Sequence, residues 1–127
     1  MKTVHVAVGV ILRDGQTFVC LRGEHQHQGG KWEFPGGKVD EGETVAEALS
    51  RELAEEVGIT VTGSEPLTVI RHAYPDKQVV LDVHKVTAFD GEPHGKEGQQ
   101  SRWQTMDALK PDDFPAANRE IIAALQQ

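Results

Sequence analysis

Cysteine, aromatic residues and positive charge are all scarce in this sequence, and it contains no long apolar run. Its one cysteine, Cys20, cannot close an internal disulfide, which fits a reducing compartment. Set among Phe18, Val19 and Leu21, it reads as a buried strand residue. No stretch approaches the roughly 20 apolar residues a membrane span needs, and the N-terminus carries no signal-peptide pattern. The expected setting is the cytoplasm, with no membrane partner. With 13 Lys and Arg against 20 Asp and Glu, the formal net charge is −7. That balance argues against a polymeric nucleic acid, whose binding needs basic surface and counterion release. It leaves room for small phosphates, because bound metal ions reverse the local electrostatics of an acidic site. Internal repeats, low-complexity tracts and long linkers are absent too, so the 127 residues read as a single domain spanning 1–127, expected to act as a monomer. A chain of this length buries an ordinary core without a staple.

What is present is concentrated between Gly37 and Ile59, GKVDEGETVAEALSRELAEEVGI. Ala46, Leu49, Leu53 and Val57 recur at spacings of three and four, which predicts a helix with one apolar stripe. Thr44 is placed to cap its N-terminus with Glu47 as the reciprocal partner, and Gly58 supplies the stop. On another face stand Glu52, Glu55 and Glu56, whose spacing crowds three carboxylates into one solvent-side cluster. Arg51 is in register to pair with Glu47 and Glu55, but one guanidinium cannot neutralise every acid on the helix. Clustered oxygen ligands suit a hard divalent cation such as Mg²⁺, which keeps waters and binds substrate phosphates with its remaining positions. A Glu-rich amphipathic helix with a merely solvated face is the plainer alternative.

Around this segment the chain alternates strands and turns. Residues 3–13 are apolar on both faces and suggest a strand inside a covered sheet, and Asp14-Gly15 signals a hairpin returning through residues 17–22. Gly23 to Lys31 is a polar loop holding His25 and His27, read as exposed rather than as a metal site. Trp32 to Phe34 is a short strand, and Pro35-Gly36-Gly37 then turns sharply, its glycines allowing close backbone approach. Further strands are expected at 59–62, 67–72 and 78–88, the last two separated by a Tyr74-Pro75-Asp76 turn. The stretch DGEPHGKEGQQS, 90–101, is too rich in glycine and charge for regular structure, and Glu97 within it could swing toward the acidic helix. Trp103 resumes a short strand, and a terminal helix over 116–125 buries Ile121, Ile122 and Leu125, with Asn118 near its start as a possible cap. Strands with one central and one terminal helix make an α+β domain.

The central segment matches at every position the Nudix box: Gly, five residues, Glu, seven residues, Arg-Glu-apolar, one residue, Glu-Glu, one residue, Gly-apolar. Seven identities at about 6% usage, with two apolar positions, arise by chance on the order of 10⁻⁹ per window or less. The chain therefore resembles the Nudix hydrolases. AVGVI at 7–11, EFPGGK at 33–38, GEPHGKEGQ at 91–99 and DDFPAAN at 112–118 extend the likeness, over nearly the whole chain, to the MutT branch.

The resemblance implies a mixed β-sheet sandwiched between α-helices. It implies a Mg²⁺-dependent enzyme, with Mn²⁺ able to substitute, that hydrolyses the small nucleotide 8-oxo-dGTP to 8-oxo-dGMP and pyrophosphate and so prevents mutagenic misincorporation. It assigns the metal shell to the Gly36 carbonyl, Glu52, Glu55, Glu56 and Glu97, the last as ligand or general base, with Arg51 orienting the acids and Glu43 in support. Arg22 and His27 would contact the nucleotide, Glu33, Phe34, Pro35 and Gly36 would line the site through their backbone, and Asn118 would read the base. Two departures stand out: the strand at Leu81 to His84 is poorer in aromatics than this branch suggests, and Tyr74 and Pro75 fall 15 and 16 residues after Ile59. The second keeps ADP-ribose or a dinucleoside polyphosphate as the alternative substrate class.

Overall fold

Alternation along β1 (Lys2–Arg13) decides the architecture. In the computed structural model, which describes residues 2–23 and 29–126, Val8 and Val10 face one side of this strand, while Ala7 and Ile11 face the other. A strand buried on both faces must lie in the middle of a sheet. β1 does so, running parallel to β6 (Lys77–Asp90) and antiparallel to the hairpin partner β2 (Gln16–Leu21). Asp14 and Gly15 join the hairpin with φ of 52° and 77°, the left-handed pair that a two-residue turn of matching twist requires. β3 (Trp32–Glu33) extends the sheet beyond β2, and β5 (Thr60–Ala73) closes the far edge, giving the order β3-β2-β1-β6-β5. β4 (Gly36–Lys38) pairs with β1, and β7 (Ser101–Thr105) pairs with β2.

Each face of the sheet carries one helix. α1 (Val45–Val57) sets Leu49, Leu53 and Val57 against Ala7, Ile11 and Val86. α2 (Ala116–Leu125) sets Ile121 and Ile122 against Val8, Val10, Ile70 and Leu81. Gly9 on β1 makes room for α1, since a Cβ there would stand 2.9 Å from Leu53 Cδ1 and 3.2 Å from Leu49 Cδ1. Thr44 caps α1 in a complete capping box with Glu47, and Gly58 ends it at φ 73°. The mixed sheet between two helices is the α+β arrangement that the resemblance implied.

Local reading went astray at several points. Gly36 and Gly37 do not form a turn: they are strand residues opposite Val8 and Ala7. Residues 60–73 are one strand rather than two, because irregular pairing near Gly63 and between Pro66 and Thr68 absorbs both apparent breaks. Ala46 is exposed, and Ala48 takes its place on the buried stripe. Met106–Ala108 and Pro111–Asp113 form short 3₁₀ turns that spacing did not signal. Asn118 is not a cap, since Pro115 holds that position without a side-chain hydrogen bond.

Leu53 has no exposed surface at the junction of α1 with β1. Leu53→Ala should lower stability by about 2–5 kcal/mol, read from urea denaturation, and a cost below about 1 kcal/mol would contradict this packing.

Candidate active site

The acidic helix meets the sheet where the sheet has no side chains. A Cβ on Gly37 would collide with the carboxyl of Glu52, and one on Gly36 with the carbonyl oxygen of Ala7. The two glycines therefore let α1 press its acids against β4 while β4 hugs β1. The Gly36 amide donates to Glu56 Oε2 at 3.2 Å, and one residue earlier the Pro35 carbonyl accepts from Gly9 at 2.9 Å. Glu52 and Glu56 thus turn inward, half-buried, whereas the Glu55 side chain remains 59% exposed. The three do not share one solvent-side cluster: a helix turns 100° per residue, and only the two facing β4 gain a backbone to lean on.

Arg51 neutralises part of this charge, keeping the Glu55 pairing its spacing suggested but not the one with Glu47. Glu47 is occupied in the cap. Arg51 instead donates from Nε to Glu43 Oε2 at 2.8 Å, from Nη1 to Glu52 Oε1 at 2.8 Å, and from Nη2 to Glu43 Oε1 at 2.9 Å and the Lys38 carbonyl at 3.1 Å. Asp40 and Glu55 stand farther off, at 3.3 and 3.7 Å. The forked guanidinium suits such multiple acceptance. It holds the Glu43 carboxyl down at about 2, aided by the Asp40 amide.

Glu56 has no such relief. Burial, then the nearby charges of Glu33, Glu97 and Glu52, push its pKa up to about 8 against the opposing pull of the Gly36 amide. Among the described residues no cation is paired with it. Glu33, Glu56 and Glu97 border an open groove of about 450 Å³ that Cys20 and Gln99 also line. Burial and the same acids raise the Cys20 thiol to about 12, so it is inert at neutral pH. Hard oxygen donors with unbalanced negative charge fit a divalent cation. The carboxylates face the groove without yet closing on a centre: among the described residues no three His, Cys, Asp or Glu side chains stand close enough together to grip a metal.

Glu97 belongs to a segment more firmly held than its composition suggested. Residues 91–100 lie across the C-terminus of α1 and satisfy carbonyls that the helix leaves open. His94 donates to the Val57 carbonyl at 3.0 Å, Lys96 to the Glu56 carbonyl at 3.2 Å, and the Gln99 side chain to the same carbonyl at 3.0 Å. The Glu97 side chain itself is exposed at the groove.

Beside the groove lies a second hollow of about 270 Å³, lined by Val8, Phe34, Leu81, Tyr74 and Pro115, with Asn118 at its wall. The Asn118 carbonyl oxygen accepts from the Phe34 amide at 3.3 Å, which orients the carboxamide across the hollow. Glu33 borders both spaces. Arg22 donates to it at 2.5 Å, yet burial still holds the Glu33 carboxyl above its ordinary range. The structure thus gathers Arg22, Glu33, Phe34, Gly36 and Asn118 around one hollow, and Glu33, Glu56 and Glu97 around the groove that adjoins it. His27 lies outside the described residues. Spacing had not singled out Val8, Leu81 or Pro115 as lining, or Gln99 at the rim. Alternation placed Val8 and Leu81 on a buried face, but which buried residues edge a hollow depends on how α2 and the 74–76 turn close over them.

The NUDIX domain family model matches residues 7–124. The 8-oxo-dGTP diphosphatase of Escherichia coli K12 is 41% identical over 128 residues, covering 100% of this chain and 99% of that protein. The enzyme of the same name from Haemophilus influenzae is 41% identical, covering 98% and 92%. A solved MutT structure, from work on Aliivibrio salmonicida and Vibrio cholerae, superposes with a TM-score of 0.83 at 38% identity, covering 98% of this chain and 97% of that one.

A carboxyl whose pKa is raised by folding stabilises the fold fully below its unfolded value and loses that contribution as pH rises through the folded one. For Glu56 the window runs from about 4.5 to about 8. Metal-free protein should therefore lose thermal stability across this range. Glu56→Gln, neutral throughout, should melt roughly 3–6 °C above the parent at pH 9 and match it near pH 5. Identical pH profiles for the two proteins would show that Glu56 is not under this strain.

Proposed function

The chain belongs to the NUDIX domain family, and from that premise we propose that this hydrolase acts on 8-oxo-dGTP, releasing 8-oxo-dGMP and pyrophosphate and so keeping an oxidised base out of DNA. The observation that carries the substrate is the adjacency of the Asn118 hollow and the acidic groove, joined at Glu33. One accepts a flat base and the other the phosphates. Guanine offers acceptors at N7 and O6, whereas the 8-oxo form carries hydrogen on N7 and so places a donor beside O6. A carboxamide presents one acceptor and one donor to that edge. The Phe34 amide supports this role by fixing which way the Asn118 carboxamide faces. With unoxidised guanine the amide oxygen meets an acceptor, a mismatch costing about 1–3 kcal/mol. Arg22, His27 and the backbone of Glu33, Phe34, Pro35 and Gly36 complete the proposed nucleotide contacts.

Hydrolysis breaks the α–β phosphoanhydride bond: water adds its oxygen to one of the two phosphorus atoms and loses a proton, and the bridging oxygen leaves with the other, giving 8-oxo-dGMP and pyrophosphate. Nudix hydrolases generally need a divalent metal, and the residues proposed to hold Mg²⁺, or Mn²⁺ in its place, are the Gly36 carbonyl, Glu52, Glu55, Glu56 and Glu97. The chemistry this cofactor supplies is acidification of water and shielding of phosphoryl oxygens. Arg51 keeps Glu52 aimed at β4, Gly36 keeps Glu56 in place, and Glu97 is positioned at the rim to take a proton or complete the shell. The reading carries with it a single catalytic domain over residues 1–127, monomeric, working on free nucleotides in the cytoplasm. No helix among the described residues is long and apolar enough to cross a membrane.

With Mg²⁺, purified protein should release pyrophosphate from 8-oxo-dGTP far faster than from dGTP, and chelation should stop it; preference for ADP-ribose in the same assay would overturn the substrate. Glu56→Gln should abolish turnover while circular dichroism stays that of the parent, and retained activity would remove Glu56 from the metal shell. Asn118→Ala should cut the 8-oxo-dGTP to dGTP preference by roughly 10-fold or more. Equal losses on both nucleotides would remove Asn118 as the base reader.

A further inference from the structure

The carboxylates proposed to serve hydrolysis come from two distant pieces of chain, Glu56 on α1 and Glu97 on the segment after β6, and one side chain joins their backbones. Gln99 uses both ends of its carboxamide. Its Nε2 donates to the Glu56 main-chain carbonyl at 3.0 Å, and its Oε1 accepts from the Glu97 amide at 3.0 Å. The carboxamide nitrogen also stands 4.0 Å from Cys20 Sγ on the groove floor, so the half-buried side chain is seated from below. The approach is tight on the other side too, since a Cβ on Gly95 would collide with the Gln99 carbonyl. Lys96 holds the segment to α1 independently, its amide reaching the same Glu56 carbonyl at 3.2 Å. Removing the Gln99 contacts therefore leaves the segment docked and frees the Glu97 peptide alone.

We propose that Gln99 is a positioning residue for the hydrolysis, setting where the Glu97 carboxylate stands relative to Glu56. The inference rests on Glu97 serving the reaction. Only a side chain with a donor and an acceptor at this reach satisfies both backbones. Gln99→Met keeps length and bulk but neither bond. Gln99→Glu keeps the acceptor for Glu97 but loses the donor to Glu56 and adds a further negative charge to an already crowded groove.

Both variants should lower kcat for 8-oxo-dGTP by about 10–100-fold, with KM changed less than about 3-fold, the size of effect typical of groups that orient ligands. In a Glu97→Gln background, Gln99→Met should cost nothing further, because a residue that acts through Glu97 has nothing left to position. Full additivity of the two losses, or a rise in KM at constant kcat, would overturn the assignment. Amide hydrogen exchange on the metal-free protein gives a second reading without substrate. Gln99→Met should speed exchange at the Glu97 amide by more than about 10-fold while His94 and Lys96 stay protected. Unchanged exchange at Glu97, or equal acceleration at all three, would make Gln99 an ordinary packing residue. Wild-type protein inactive on 8-oxo-dGTP would sink the substrate reading, and the exchange experiment would still decide for or against Gln99.

Discussion

The seam where α1 lies over Gly36 and Gly37 of β4 is the constraint on which the rest of the molecule depends. Two residues without side chains let the Glu52 carboxyl sit against the strand backbone and let β4 close on the Ala7 carbonyl. Behind this seam, Leu49 and Leu53 press on Gly9 of β1, so packing and chemistry use adjoining faces of the same helix. The apolar side draws the helix down by burying surface, and the acidic side follows because a helix is rigid. Stability of the core and position of the carboxylates are therefore one property.

That arrangement places like charges where folding alone would not. Arg51 gathers Glu43, Glu52 and Asp40 into one network at the helix flank. Glu56 is left facing Glu33, Glu97 and Glu52 in a half-buried position, and it responds by holding its proton to about pH 8. Titratable groups driven this far by burial and by one another collect where chemistry is done. The cost in stability is confined to the side that faces the groove.

The segment 91–100 shows how a stretch without regular structure is nonetheless held. A helix ends with open carbonyls, and here His94, Lys96 and Gln99 donate to them. The same contacts bring Glu97 to the rim of the groove. Glycine content described the shape of this backbone correctly and said nothing of what it would lie against. Composition reports local freedom, whereas anchoring depends on donors and acceptors supplied by residues some 40 positions away.

Much was nonetheless written locally. The period of the apolar residues, the Thr44–Glu47 box and Gly58 determine α1 to within a residue, and Asp14-Gly15 determines the first hairpin, because caps and turns obey short-range stereochemistry. The spacing of Glu52, Glu55 and Glu56 likewise determined that acids would crowd on one helix. Tertiary structure alone decided which of them turn inward, since that depends on how α1 folds back over β4. It alone decided that Gly36 and Gly37 are strand rather than turn, that Arg51 serves Glu43 in place of Glu47, and that Asn118 binds Phe34 rather than capping α2. Side chains choose partners by distance in space, and spacing along the chain reports that distance only within a single element.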